Sequence, residues 1–351
     1  MSTLDKLIRT MCGKLIRRIF SGIQPTGTLH LGNYFGAVKR WKDFPKNAVL
    51  GQKSPPPVFS IVDLHAITLP QDPAILRSNI CGMTACLLAC GIDHKESILF
   101  LQSDVKEHAS LCWILGTLAT MPRLYALPQF KDKAQSLKEV PFGLFAYPVL
   151  QSADILLYKA TDVPVGEDNL QNIYFAQHLG RLFNHKFKTN FFRKISGLVA
   201  DDGGERVRSL RNPEKKMSKS DPDPRSRINI TDPPEVIVEH FRKALTDFTS
   251  DVTYDPEKRA GVANLIQIHC LAAGITHEEA VRSGEGLDTA KYKLLVADVV
   301  VEHLKPVRET FVALMNDKSY LEIVLKEGAE NAGAIAEQTW REVRDIVGLR
   351  I

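Results

Sequence analysis

Apolar residues in the first third of the chain come in two kinds of run. Short blocks, Ile19-Phe20-Ser21-Gly22-Ile23, Val58–Val62 and Ile98-Leu99-Phe100-Leu101, are rich in β-branched and aromatic side chains, which predicts buried strands. Between them lie longer stretches with helical spacing. One runs from about Leu31 to Trp41 after a Pro25/Gly27 turn, and one from Pro73 to Cys90, closed by Gly91. This β-α-β-α-β order predicts an α/β fold with a doubly wound, mostly parallel sheet. Helical signals dominate from Cys112 to Ile155. Val163-Pro164-Val165 reads as extended, and a helix over Glu167–Phe183 opens on Gly166-Glu167-Asp168. Beyond Pro233-Pro234 the pattern is nearly all helical. Asp221-Pro222-Asp223-Pro224 and Asp232-Pro233-Pro234 break the chain, so a domain boundary is expected near 225–233.

The bulk numbers narrow this only a little. With 351 residues, 44% hydrophobic and 25% charged, the chain has room for a large core and two domains. No apolar run approaches the length of a membrane span. The net charge of +4 permits a polyanionic partner without demanding one. The six cysteines form no C-x-x-C pair, and Cys81, Cys86 and Cys90 fall in an apolar helical stretch, which predicts buried free thiols and a reducing compartment. At the N-terminus, Leu4, Leu7, Ile8, Met11 and Leu15 recur at helical spacing. Lys6, Arg9, Lys14, Arg17 and Arg18 make that stretch basic, so residues 1–18 read as an extension of the type that targets mitochondria or, alternatively, as a structural helix docked on the first domain. The loop Lys53-Ser54-Pro55-Pro56-Pro57 excludes regular structure and receives no role.

Two segments carry chemistry. Lys216-Met217-Ser218-Lys219-Ser220 holds two lysines three apart among small or flexible residues. At ordinary residue frequencies, such a string arises by chance with a probability on the order of 10⁻⁴ in a chain of this size. A mobile lysine pair suits holding the phosphates of ATP while charge moves toward the leaving pyrophosphate; one lysine about 4 Å from a phosphate charge is worth roughly 4 kcal/mol at an effective dielectric of 20. The second segment, Gln24-Pro25-Thr26-Gly27-Thr28-Leu29-His30-Leu31-Gly32-Asn33, joins the first strand to the first helix, at the sheet edge where α/β folds bind ligands. A helix N-terminus there offers free N–H groups to phosphates, Gly32 lets a flat ring such as adenine approach the backbone, and His30 and Asn33 are placed to hydrogen-bond phosphate or ribose. Neither a Walker loop nor G-x-G-x-x-G occurs.

His30-Leu31-Gly32-Asn33 followed far downstream by Lys216–Ser220 resembles the paired signature of the class I aminoacyl-tRNA synthetases. Ile19 to Gly27, Asp63-Leu64-His65-Ala66-Ile67-Thr68, Ala153-Asp154-Ile155-Leu156-Leu157-Tyr158 and Val163 to Asp168 narrow the resemblance to tryptophanyl-tRNA synthetases of the bacterial and mitochondrial type, from about residue 18 to the C-terminus. That resemblance implies a Rossmann-like catalytic domain over 19–230 with a helical insertion at about 105–160. It also implies a helical anticodon-binding domain over 231–351 whose last helix packs back on the first domain. The implied reaction joins L-tryptophan to Mg²⁺-bound ATP and passes the tryptophanyl group to tRNA(Trp). The implied assembly is a homodimer with its interface between about 105 and 150, and the implied location is the mitochondrial matrix or, alternatively, a bacterial cytoplasm.

Carried over by position, Lys216, Lys219, His30 and Gln24 are the catalytic set. Gln24, Pro25, Thr26, His30, Gly32, Asn33, Gly166, Glu167, Asp168, Val207, Lys216, Met217, Ser218, Lys219 and Ser220 form the ATP site, with no protein metal site expected. Asp154 receives the indole N–H, and Phe20, Val62, His65, Gln151, Val163 and Val165 wall the pocket. Outside this context Asp154 reads as a helix-surface aspartate and His65 as a satisfied core histidine. The chain departs from the pattern at Gln151, where many bacterial relatives carry methionine, and at Asn169, where glutamine is usual. Lys291 to Arg308 are candidates for RNA contact. The alternatives are a tyrosyl-tRNA synthetase, a nucleotidyltransferase of related fold, and a synthetase-derived RNA-binding protein.

Overall fold

A computed structural model describes residues 17–44, 55–135, 137–199, 207–219 and 221–350. Most of the basic N-terminal segment, the start of the proline-rich loop and Ser220 fall outside the described residues.

β1 (Phe20–Ile23), β2 (Val58–Ile61) and β3 (Ile98–Leu101) form a parallel sheet in that order, with Phe20 opposite Val58 and Val58 opposite Ile98. β4 (Asp162–Pro164) and β5 (Ser196–Leu198) pair in parallel beside it. A parallel bridge between Ile19 and Asp162 ties β4 to β1, so the spatial order reads 3-2-1-4-5. That order reverses direction between β1 and β4, which makes the carboxyl ends of these two strands the switch point where such sheets bind ligands. β2 is buried at every position, as expected of a strand covered on both faces.

Helix α1 spans Leu31 to Trp41, with Tyr34–Val38 wound as a π-helix. The short α2 is Asp63–Ala66 and α3 is Pro73–Ala89. α3 starts on the Asp72 carboxylate, which accepts from the Ala74 and Ile75 N–H groups, and stops before Gly91 at φ +92°. The segment expected as a helical insertion comprises α4 (Glu107–Gly116), α5 (Met121–Tyr125), α6 (Pro128–Ala134) and α7 (Phe142–Leu157). After β4, residues Glu167–Asn169 make a 3₁₀ turn and α8 (Leu170–Lys186) begins later than its sequence pattern suggests. The C-terminal part adds α9 (Pro234–Arg242), α10 (Ala260–Ala273), α11 (His277–Arg282), α12 (Thr289–Asn316) and α13 (Lys318–Val347).

Two apolar clusters flank the sheet. One gathers Leu29, Leu31, Trp41, Phe59 and Met83 with Phe241, Tyr292 and Val300; the other gathers Phe20, Phe100, Leu111, Phe145, Tyr158 and Phe183 with Ala332 and Val343. Apolar packing therefore runs without interruption across residues 225–233, and α9 and α12 share a core with α1 and α3. α13 lies directly on β3: a Cβ at Gly328 would overlap the carbonyl of Leu99, and Ala332 and Ala336 beyond it are fully buried. Cys86, Cys90 and Cys270 are buried and in no disulfide, but Cys81 is only half-buried, midway along α3 just before its buried stretch begins at Met83.

Candidate active site

The segment after β1 is shaped by His30 and Gly32. His30 is the N-cap of α1: its Nδ1 accepts from the Asn33 N–H at 3.3 Å, and the Asn33 side-chain oxygen accepts from the His30 N–H at 3.5 Å. The ring is only 4% exposed, and burial, reinforced by Lys219, Arg227 and Lys216, pulls its pKa down to about 3. It is therefore neutral, and because Nδ1 accepts, its proton sits on Nε2. That leaves an uncharged N–H donor at a helix N-terminus, suited to a phosphate oxygen. Gly32 is needed for a closer reason than adenine approach: a Cβ there would stand 3.0 Å from the His30 ring and 3.5 Å from Met217. Gln24 is half-buried, Pro25 buried and Thr26 exposed, with the Thr26 N–H turning back to the Gln24 carbonyl at 2.9 Å.

The lysine loop closes over this segment. Met217 is its anchor, 3% exposed within the core, with its N–H donated to the carbonyl of the equally buried Val207 at 3.3 Å. Arg208 and Lys216 bridge alongside, and Leu31 is tied to Ile228 on the same side. Lys219 reaches across to donate to the Gly27 carbonyl at 3.0 Å. Burial holds its ammonium down to about 8, with Cys86 opposing and Arg227 adding to that effect. Lys216 is exposed and lies 3.7 Å from Asp168 Oδ1, on the turn after β4. A Cβ on Gly166 would meet Asp168 at 2.6 Å and come within 3.9 Å of the Lys216 ammonium, so the bare Gly166 backbone lets that pair form. Glu167 is exposed beside it and Ser218 half-buried. The loops after β1 and β4 and the lysine loop thus meet at the switch point, Lys219 reaching the first of them at Gly27 and Lys216 the second at Asp168.

The predicted pocket residues gather on the other apolar cluster. Asp154, on α7, is 1% exposed and accepts from His65 Nε2 at 2.7 Å, Gln102 Nε2 at 2.7 Å and His108 Nδ1 at 2.6 Å. It is therefore no helix-surface aspartate. Burial alone would raise its pKa, but the hydrogen bonds from His108 and His65 outweigh that and hold the carboxyl at about 2. Phe20 stacks on Tyr158 at 5.5 Å between centroids; Val62 and Val163 are buried, and Val165 is half-buried. Gln151 and Asn169, the two departures from the family pattern, join one amide network. Asn172 Nδ2 donates to Gln151 at 2.9 Å and to Gln129 Oε1 at 3.1 Å, Tyr147 donates to Gln129 Oε1 at 3.0 Å, and Gln129 Nε2 donates to Asn169 at 3.0 Å and to the Asp168 carbonyl at 2.9 Å. The insertion is thereby laced to the turn that carries Asp168.

Gln102, His108, Tyr158, Gln129 and Asn172 are absent from the sequence-derived set. Gln102 carried a weak signal, since it directly follows a buried strand at the sheet's carboxyl edge. Tyr158 closes α7 within the Ala153–Tyr158 segment but receives no role there, and His108, Gln129 and Asn172 lie on helices at no distinctive spacing, so only tertiary packing brings them to the pocket.

A family model described as tRNA synthetases class I (W and Y) matches residues 16–305. A tryptophan–tRNA ligase of Wolinella succinogenes is 43% identical over 334 residues, 95% of this chain and 99% of that protein. A mitochondrial tryptophan–tRNA ligase of Caenorhabditis elegans is 42% identical over 332 residues, covering 94% and 90% respectively. The crystal structure of tryptophanyl-tRNA synthetase from Campylobacter jejuni complexed with ADP and tryptophan superposes with a TM-score of 0.80 at 30% identity, over 94% of this chain and 99% of that one. With likeness of this extent along its sequence and its fold, the chain belongs to the class I tRNA synthetases of the tryptophan and tyrosine branch, and within them to the tryptophan–tRNA ligases.

Proposed function

We infer that the chain charges tRNA with tryptophan. It activates L-tryptophan with ATP to tryptophanyl-adenylate and pyrophosphate and transfers the tryptophanyl group to the 3′ end of tRNA(Trp). The observation that carries this is the 43% identity to a tryptophan–tRNA ligase along 95% of the chain. Amino-acid-dependent ATP–pyrophosphate exchange tests it: tryptophan should support exchange, and a preference for tyrosine would overturn the reading.

The attacking group is the tryptophan carboxylate, so the protein needs no nucleophile of its own, and its contribution is positioning and charge stabilisation. In our reading the ATP phosphates displace the Gly27 carbonyl from Lys219 and Asp168 from Lys216. Both ammonium groups then face charge that grows on the β-phosphate as pyrophosphate leaves. The neutral Nε2–H of His30, the loop Gln24 to Thr26, Asn33, and Gly166 to Asp168 complete the nucleotide grip, with Mg²⁺ carried in on the phosphates. Asp154 takes the indole N–H within walls made by Phe20, Val62, His65, Gln151, Val163 and Val165.

Residues 231–351 are proposed as the part that meets the anticodon. The polyanionic partner should bind less tightly as salt rises. Two basic residues of the stretch from Lys291 to Arg308 are drawn inward, Lys293 to the Ala244 carbonyl at 2.8 Å and Arg308 to the Val301 carbonyl at 3.0 Å, which leaves RNA contact to their neighbours. A homodimer through the insertion is supported by its exposed apolar side chains, Trp113 at 76% and Phe142 at 79% exposure with Met121 and Tyr125 at 55%. A monomeric mass in light scattering would end that proposal. Relatives include bacterial and mitochondrial enzymes. The mitochondrial matrix is proposed from the basic N-terminal sequence; failure of the full-length chain to enter isolated mitochondria would reject it.

A further inference from the structure

The two oxygens of the Asp154 carboxylate are used unequally. Oδ1 accepts from both Gln102 and His108, at 2.7 and 2.6 Å. Among the described residues Oδ2 accepts only from His65, at 2.7 Å. A carboxylate oxygen has two acceptor directions. Oδ1 is thus filled by the protein, while Oδ2 keeps one direction open.

His108 is the inner of the two histidines. It is completely buried, and its Nε2 lies 2.8 Å from the Tyr158 hydroxyl, also completely buried. With Nδ1–H given to Asp154, Nε2 accepts the Tyr158 proton, so the tyrosine fixes the tautomer that makes His108 a donor to the carboxylate. The ring is held against Phe100 at 5.8 Å and Tyr158 at 5.4 Å, and Tyr158 in turn stacks on Phe20 of β1. Rotation of the Asp154 carboxylate would break three hydrogen bonds at once.

We propose that His108 is a positioning residue for amino-acid selection: backed by Tyr158, it fills Oδ1 of Asp154 from the protein interior, so that the one open acceptor direction, on Oδ2, is fixed toward the N–H of the substrate's ring. This rests on the reading that Asp154 receives the indole N–H. His108 touches no substrate and acts through the aspartate alone. Its worth lies in discrimination, because a fixed buried acceptor penalises any ring that brings no donor.

Two near-isosteric variants and two substrates test this. His108→Asn keeps an amide N–H close to the Nδ1 position, whereas His108→Gln places its amide near the Nε2 position and leaves Oδ1 short of a donor. The substrates are L-tryptophan and its benzothiophene analogue, the same shape with sulfur in place of N–H, compared by ATP–pyrophosphate exchange. The expected result is that His108→Gln loses about tenfold or more of the preference for tryptophan through a raised tryptophan KM, with the ATP KM and the analogue's kcat/KM unchanged, while His108→Asn keeps most of the preference. Equal losses for both substrates would reduce His108 to a structural role and overturn the proposal, as would an unchanged preference in His108→Gln. Asp154→Asn separates the two ideas. If it retains the preference, the assignment of Asp154 has failed. If it loses the preference while His108→Gln retains it, Asp154 stands and the role of His108 falls.

Discussion

Lys219 and Asp154 are both withdrawn from water, yet the protein holds them in different ways. Among the described residues Lys219 donates to one backbone carbonyl, and burial has lowered its pKa to about 8. Asp154 has three donors from three different elements, and its pKa is lowered to about 2 although burial opposes this. The lysine is thus under-satisfied, and under the proposed function it gains when phosphate arrives. The aspartate is nearly saturated and has little reason to move. The same contrast extends to their surroundings: Lys216 and Asp168 are exposed partners 3.7 Å apart, while His65, Gln102 and His108 are buried. Under the proposed function, the grip that must strengthen during the reaction is the loosely built one, and the site that must distinguish one ring from another is the tight one.

The largest expected effect comes from breaking the tight half. Asp154→Ala strands three buried donors, each costing about 1–3 kcal/mol, so urea unfolding should show a loss of several kcal/mol, and exchange with tryptophan should fall far more than ATP binding. Because the folded carboxyl lies below its ordinary 3.8, the stability it confers is present above that value and is lost as pH falls toward about 2. The stability gap between wild type and Asp154→Ala should therefore narrow in acid unfolding below pH 3.8. A gap that stays constant would mean that the ionised carboxylate contributes no stability.

Breaking the loose half should not weaken the fold. Lys219→Ala should lower the single-turnover rate of adenylate formation by about 10²–10³ with little change in ATP affinity. A rate equal to wild type would show that the loop does not follow the leaving group. A subtler effect sharpens the contrast. Lys219, with a folded pKa of about 8 against an ordinary 10.5, destabilises the fold below pH 8, and that cost is relieved as pH rises through this window. Phosphate should raise its pKa again, so ATP binding at pH 8.5 should take up a proton, and at pH 6.5 should not. Calorimetry in two buffers of different ionisation enthalpy measures this, and proton release or no exchange at pH 8.5 would contradict it. The smallest effect is expected at the exposed pair: Asp168→Asn should change ATP affinity by no more than a few-fold, since exposed ion pairs are worth about 0–1 kcal/mol.

Much of this was legible along the chain. Apolar blocks too short for helices, separated by capped helical stretches, placed β1, β2, β3 and α3 within a residue or two, because strand and helix periods are local properties of the side chains. β5 escaped because Ser196-Gly197-Leu198 has no alternation and too few residues to show any. The delayed start of α8 escaped because Glu167 to Asn169 wind tighter than an α-helix without any change in composition. The prolines near 225–233 suggest a domain boundary in the sequence, and they do not reveal that one apolar cluster spans them.

The site divides in the same way. Sequence alone singled out the lysine loop and the His30 turn as candidates, and the family resemblance added Asp154, since a motif keeps its residue types and spacing wherever the chain carries it. Tertiary structure decided what each of these groups is doing at rest. It set the Nε2 tautomer of His30, the reason Gly32 lacks a side chain, the carbonyl that occupies Lys219, and the His108–Tyr158 support behind Asp154. The Lys219 and Asp154 contacts depend on partners dozens to hundreds of residues away, and even the local contacts of His30 and Gly32 depend on burial, since desolvation and hydrogen-bond geometry exist only once the chain has folded around them.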